Sequence, residues 1–363
     1  MSGKFKRGAS PKVQEAPAPA EQAVAAPPAD NLSKIKTFTS QFKNYINQQY
    51  KANVAYTPNA EQIKLVTVNK WIKMPKAFCE AICLPGLPMG NITHIYGKPN
   101  TGKTTALMEA IVACQKQGIV PIVILTEHKF DFNRITVMGG DPDAMLVFHA
   151  DTLEQAYGYM EKLLKDIAIG KINYTVENPE FKPDEKEGKG NQKEIEITVD
   201  VSQQDCYVMM DSIGNTMSIS EMEYEVEDWD KSMGKAAKAI KNLTKRINYL
   251  LSKVRQQCGI LLLNQSYQSM PPIGPSVETP YGGDGAPYSC VLNIRFRRRG
   301  DLKITVDKRE YVIGLETIVQ VMKNHVSNVM PISSVYTVGT GMIMPTDAAL
   351  NAYKKEFEIA QQR

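Results

Sequence analysis

Eight residues constrain this chain more than any other stretch: Gly97, Lys98, Pro99, Asn100, Thr101, Gly102, Lys103 and Thr104, with Thr105 following. They fit the pattern G-x-x-x-x-G-K-[ST]. In such a loop a glycine-rich turn aims backbone N–H groups at phosphate oxygens, a lysine adds point charge, and a hydroxyl ligates Mg²⁺. The flanks have the periods the loop requires: Ile92 to Tyr96 alternates as a strand, and Thr104 to Cys114 reads as a buried helix. Strand, loop and helix in that order point a helix N-terminus at the phosphates. The expected ligand is a nucleoside triphosphate with Mg²⁺.

The same rhythm continues downstream. Ile119 to Leu125 is a continuous apolar run of the kind found in parallel strands buried on both faces. Met145 to His149 reads as a short strand, Leu153 to Ile167 as a helix, and Cys206 to Met210 and Gly259 to Leu263 as further strands. Alternating strands and helices predict an α/β core with a mostly parallel central sheet and right-handed crossovers. Upstream, Ala77 to Leu84 is helical in pattern, and PGLPMG at 85–90 reads as a turn. Residues 171–205 interrupt the rhythm, and the alternation of Glu194 to Val201 predicts a two-strand insertion with a charged tip at Asp184 to Gln192. Val291 to Arg299, Leu302 to Val312 and Thr317 to Lys323 read as an antiparallel extension. The chain ends with a strand near Ser334 to Val338 and a helix from Asp347 to Gln361.

Bulk properties exclude little. The 363 residues suffice for one large domain or two, and 43 Lys+Arg against 39 Asp+Glu leave +4, so any basic surface must come from clustering. Six scattered cysteines read as reduced core residues of an intracellular protein. Cys79 and Cys83, one helical turn apart, have no second pair to complete a metal site. The basic start leads into Ala/Pro-rich sequence rather than an apolar leader, and no run approaches the roughly 18 apolar residues of a membrane span, so no membrane partner and a cytoplasmic location are expected.

Residues 1–32 read as a disordered Ala/Pro-rich tail, and 33–70 as a helix and linker in which Ser33 caps and Ile35, Phe38, Phe42, Tyr45 and Ile46 recur at helical spacing. That amphipathic helix packs on its own domain or on a neighbouring subunit; the residues leave both open. Residues 71–344 form the core and 345–363 a C-terminal helix. The long helix from Ser232 to Arg255 opposes an apolar stripe (Ile240, Leu243, Ile247, Leu250, Leu251, Val254) to a basic one at Lys231, Lys235, Lys238, Lys241 and Lys245. Such a stripe is either a solvated face or an anion-binding one. Gln265 to Gly283 is rich in Pro, Gly and Ser and reads as an irregular functional loop.

Four candidate groups fall at strand C-termini, the edge where open parallel sheets bind ligands: the phosphate loop, Glu127, Asp211 and Gln265. Lys103 would neutralise β- and γ-phosphates, Thr104 and Asp211 would hold Mg²⁺, Glu127 would polarise an attacking water, and Gln265 would sense the γ-phosphate for the loop that follows.

The ordered series LPGLPMGNITHIYGKPNTGKTT, LTEHKFD, VMMDS, MGKAAK, LNQ, ETPYGG and VMKNH resembles RecA over about residues 70–342, and its compact end is similar to phage strand-exchange proteins of the UvsX type. The resemblance implies an ATP- and Mg²⁺-dependent DNA recombinase with a RecA-type core and an N-terminal oligomerisation helix. It would form a helical homo-oligomer on single-stranded DNA, pair it with homologous duplex DNA, and hold ATP between neighbouring subunits in a bacterial or phage-infected cytoplasm. It aligns Glu223 to Gly234 and Ser266 to Gly283 with two DNA-binding loops, and Met233, Gly234, Lys235, Lys238, Lys245, Gly282 and Gly283 with DNA-contacting positions. Asp131 and Arg134 align with the adenine site, and Lys323 with a lysine that reaches the neighbour's γ-phosphate. His325 replaces a second lysine there, Arg134 replaces an aromatic, the second loop lacks Lys and Arg, and most of the bacterial C-terminal domain has no counterpart. The phosphate loop by itself also suits a RecA-core helicase or another P-loop motor, and the DNA-binding features suit a non-catalytic recombination mediator.

Overall fold

The computed structural model describes residues 29–51, 55, 67–127, 129–179, 193–222, 234–269, 276–306 and 308–361. Two compact units divide the chain, 1–62 and 63–363. In the first, helix α1 (Ala29–Tyr50) places Ser33 inside the helix rather than at its cap, where its carbonyl accepts from the Thr37 hydroxyl. Phe38 and Phe42 stack with centroids 5.6 Å apart, and Ile35, Phe38, Phe42 and Tyr45 are all exposed.

The second unit begins with β1 (Trp71–Lys73), α2 (Lys76–Ile82) and β2 (Gly86–Pro88), then runs through β3 (Ile92–Gly97), α3 (Lys103–Lys116), β4 (Val120–Leu125) and α4 (Phe132–Val137). Next come β5 (Leu146–His149), α5 (Leu153–Ile169), β6 (Lys171–Glu177), β7 (Glu194–Asp200) and β8 (Cys206–Asp211). They are followed by α6 (Ile219–Met222), α7 (Lys235–Leu251), β9 (Cys258–Ser269), β10 (Val277–Pro280) and α8 (Gly285–Ser289). The chain closes with β11 (Leu292–Val306), β12 (Arg309–Asn324), β13 (Ile332–Val338), β14 (Gly341–Ile343) and α9 (Asp347–Gln361).

Ten strands form the central sheet, in the order β14-β13-β12-β11-β3-β9-β8-β4-β5 with β10 paired to β9. From β11 to β5 every neighbour is parallel, while β11 to β14 are antiparallel. The fold is therefore α/β, as the strand–helix rhythm predicts. Alternation explains the unbroken apolar runs. Tyr207, Met209, Leu261 and Leu263 pack with α2 and α3 residues such as Phe78, Leu107 and Ile111. Their chain neighbours Val208, Met210, Ile260 and Leu262 pack with Leu153 and Met160 of α5 and Ile240 and Ile247 of α7. Buried Thr244 of α7 shares a 2.9 Å hydrogen bond with the Tyr157 hydroxyl of α5. The C-terminal helix sets Leu350, Tyr353 and Phe357 against Leu302, Ile304 and Ile313 of the extension.

Several expectations fail locally. PGLPMG supplies strand β2, paired antiparallel with β1, because Gly86 sits so close to Ile72 O (1.9 Å from an ideal Cβ) that only glycine fits the pairing. The extension is one long hairpin turning near Lys308 (φ 63°), and Gly300 and the strand irregularities beside it do not end β11. Gln265 lies within β9, which continues to Ser269 and pairs back with β10, so the Pro/Gly-rich segment is strand over Gln265 to Ser269 and Val277 to Pro280. Cys83 is exposed at the left-handed end of α2 rather than in the core, and Cys79 is half-buried; the other four cysteines are buried and all six are free. The 171–205 insertion is the two-stranded β6–β7 sheet, and its charged tip lies outside the described residues, as do most of the tail and the first proposed DNA loop with Met233. No helix among the described residues is long and apolar enough to cross a membrane.

Candidate functional site

The phosphate loop leaves β3 at Gly97, where a side chain would collide with Phe296 O of β11 at 2.2 Å. It enters α3 through Gly102, whose φ of 92° disfavours a side chain. Two buried threonines hold it from outside: Thr317 donates to Thr101 O at 3.0 Å and lies 3.0 Å from the Thr337 hydroxyl. Nothing in the composition of β12 and β13 marks these threonines; only strand pairing reveals them.

Lys103 is 8% exposed, and its ammonium donates to Gly97 O and Lys98 O, each at 2.8 Å. Burial lowers its pKa to about 8, against the pull of Asp211, Glu127 and Glu278. Thr104 donates to Asp211 Oδ2 at 3.0 Å. Burial raises the Asp211 carboxyl to about 6; the Thr104 hydrogen bond opposes this, the nearby Glu127 charge reinforces it, and Lys103 opposes it. A polyphosphate with a divalent cation suits this pair of perturbed groups, since anionic oxygens favour the charged lysine and a cation favours the carboxylate. The hydroxyl–carboxylate pair also matches the one or two protein oxygens Mg²⁺ takes when phosphates and water supply the rest. Among the described residues no cluster of three or more His, Cys, Asp or Glu exists to hold a metal alone.

Gln265 sits opposite Gly97 in the β3–β9 register, so the strand carries it to the loop's first residue. The side chain of Glu127 accepts from Asn215 Nδ2 and, at 3.4 Å, from Ser212 Oγ, while Asn215 Oδ1 accepts from Gln265 Nε2. Asn215 closes a 3₁₀ turn, Ile213–Asn215, that follows β8, and sequence reading missed it. Its signal is the segment Asp211-Ser212-Ile213-Gly214-Asn215 itself: a small residue before a polar amide just past a strand-end carboxylate.

Beside the loop a cleft of about 460 Å³ is lined by Asn100 to Thr105, Arg134, Arg298, Asp301 and the segment Val312 to Leu315. Arg134 donates to Val338 O at 2.8 Å and Gly339 O at 3.1 Å, and burial lowers its pKa. Asp131 caps α4 by accepting from Asn133 N at 3.1 Å, and it lies outside the cleft lining. A local cap explains its place without a nucleotide.

Lys323 is not at the loop. It pairs with Asn293, which pairs with His94 near the start of β3, whereas the phosphate loop leaves the end of that strand. Its ammonium donates to Pro287 O at 3.0 Å and Tyr288 O at 2.9 Å. Gly282 (φ 75°) and Gly283 (φ 63°) form a turn against α7, where a side chain on Gly282 would meet Ile240 Cδ1 at 2.3 Å. Lys235 is half-buried, while Lys238, Lys241 and Lys245 are exposed on the same helix. Gln265 reaches that turn directly: Tyr281 N donates to Gln265 O at 2.8 Å and Asn264 Nδ2 donates to Tyr281 O at 2.9 Å.

A family profile described as the RecA N-terminal domain matches residues 50–177. The RecA protein of Ruegeria pomeroyi is 27% identical over 247 residues, covering 68% of this chain and 58% of the relative. The RecA proteins of Psychrobacter cryohalolentis and Acinetobacter baylyi are each 28% identical over 244 residues, covering 67% of this chain and 57% of theirs. The chain thus spans somewhat more than half the length of these curated relatives. The phosphate loop, Gly97 to Thr104, lies inside the matched segment, so over these residues the chain is similar to the RecA N-terminal domain and to curated RecA proteins.

Proposed function

We propose that the chain is a Mg²⁺-dependent, DNA-stimulated ATPase that polymerises on single-stranded DNA and exchanges strands with homologous duplex DNA in recombination and repair. The observation that carries this reading is the double attachment of Gln265. Its side chain belongs to the carboxylate network of the phosphate site, and its backbone is bonded to Tyr281 beside the Gly282–Gly283 turn on the lysine helix. A nucleotide signal and a DNA signal therefore share one strand.

In this reading Lys103 exchanges its two carbonyls for β- and γ-phosphate oxygens, and Thr104 and Asp211 hold Mg²⁺, which supplies positive charge to those oxygens when bound. Glu127 accepts a proton from the water that attacks the γ-phosphorus, and the bond to the β-phosphate oxygen breaks with its electron pair leaving on ADP. The cleft at Arg134 takes the adenosine. Lys323, remote from its own phosphate loop, acts on a neighbour's, and the exposed aromatic stripe of α1 docks on an adjacent subunit. Exposed Lys238, Lys241 and Lys245, without carboxylate partners among the described residues, bind phosphates, so sequence preference is low. The ordered motif series favours a phage-type member acting in the cytoplasm.

Electron microscopy with ATP and single-stranded DNA tests this: helical filaments are expected. Closed rings would indicate a motor, and absence of any assembly would indicate a mediator.

A further inference from the structure

We infer that Asn215 is the positioning residue that couples Glu127 to Gln265, so that the state of the β9–β10 hairpin sets where the carboxylate stands. This rests on the ATPase reading above and deepens it. The orientation of the Asn215 amide follows from chemistry: a carboxylate can only accept, so Nδ2 faces Glu127, which leaves Oδ1 for the Gln265 NH₂. Glu127 lies two residues past the end of β4 and Gln265 on β9, two strands separated by β8, and no direct bond joins their side chains among the described contacts. The 3₁₀ turn after β8 fills that gap, and Gly214 permits it, since an ideal Cβ there would lie 2.7 Å from Gln265 Cβ and 2.9 Å from Gln265 N. Asn215 is exposed and contributes nothing to the core, so packing does not account for its place.

The coupling is a change of partners. When a γ-phosphate oxygen draws the Gln265 NH₂, Asn215 loses that donor but keeps its own bond to Glu127, and the carboxylate turns with it. In the opposite direction, DNA held beside the Gly282–Gly283 turn fixes Gln265 through its backbone bond to Tyr281 and thereby holds Asn215 and Glu127 for proton acceptance.

The test compares wild type with Asn215→Ala and Asn215→Asp, measuring hydrolysis with and without single-stranded DNA, binding of a fluorescent ATP analogue, and hydrogen exchange at 126–131 and 266–280 with ATPγS. Expected are nucleotide affinities within about twofold of wild type and a DNA-stimulated kcat lowered about tenfold or more, the scale of a mispositioned proton acceptor. Asp should be worse than Ala, because it sets a second carboxylate against Glu127. If the turn merely needed a polar residue, it would accept Asp, and Ala would cost stability rather than kcat. On adding ATPγS, wild type should change exchange in both segments and Asn215→Ala only in 266–280. Wild-type kcat and wild-type exchange in the variants overturn the inference. If wild type shows no DNA-stimulated hydrolysis, the ATPase reading fails separately, and the exchange pattern alone decides the role of Asn215.

Discussion

Glu109 lies on the helix that carries the phosphate loop, 5% exposed, and its Oε1 accepts from Met342 N of β14 while Oε2 has no hydrogen-bond partner among the described residues. Burial raises its pKa to about 8 from 4.5, with the Met342 hydrogen bond and Arg134 opposing. The folded protein therefore keeps a proton that the unfolded chain releases between pH 4.5 and about 8, so stability falls as pH rises through that window and levels off above it. At pH ~7.5 the unfolded carboxyl is about three units past its pKa, and about 1.36 kcal/mol per unit puts the cost near 4 kcal/mol. Glu109→Gln removes the titration and keeps an acceptor for Met342 N–H, although its buried NH₂ lacks a partner at a pH-independent cost of about 1–3 kcal/mol. The stability of the Glu109→Gln variant relative to wild type, from urea unfolding at a series of pH values, should rise by about 3–4 kcal/mol from pH ~4.5 to ~8. At roughly 2 °C per kcal/mol, Tm shifts by about 6–8 °C. The Asp211 window below about pH 6 and the opposite-signed Lys103 window above about 8 cancel in this difference. Parallel pH curves for the two proteins would refute the argument.

Tyr157→Phe should destabilise by about 1–2 kcal/mol in urea unfolding, because it strands the buried Thr244 hydroxyl. Gly214→Ala should cost about 1–3 kcal/mol by overpacking against Gln265 and should depress hydrolysis more than nucleotide binding, as a kcat and KM comparison would read. Lys238→Ala should flatten the slope of log K against log salt for single-stranded DNA by about 0.7; an unchanged slope would make that lysine part of a solvated face.

Much of the core was legible because periodicity records burial directly: runs such as Cys206 to Met210 alternate between two packed faces, and the phosphate loop announces itself by spacing. What was not legible depends on partners remote in sequence. Gly86 looks like a turn residue until Ile72 lies beside it, and β9 reads as ending at Gln265 until β10 pairs back on it. The same holds for the site. Lys103, Thr104 and Asp211 stand out by motif and strand end, whereas Thr317 and Thr337 gain meaning only when strands separated by many residues meet at the loop.

Hydrolysis of ATP by the full chain, measured at fixed Mg²⁺ with and without single-stranded DNA and alongside Lys103→Ala, tests the central claim most directly. DNA should raise the wild-type rate at least tenfold, a barrier change of about 1.4 kcal/mol, and the variant should show no hydrolysis under either condition. A wild-type rate indifferent to DNA, or a Lys103→Ala rate equal to wild type, would contradict it.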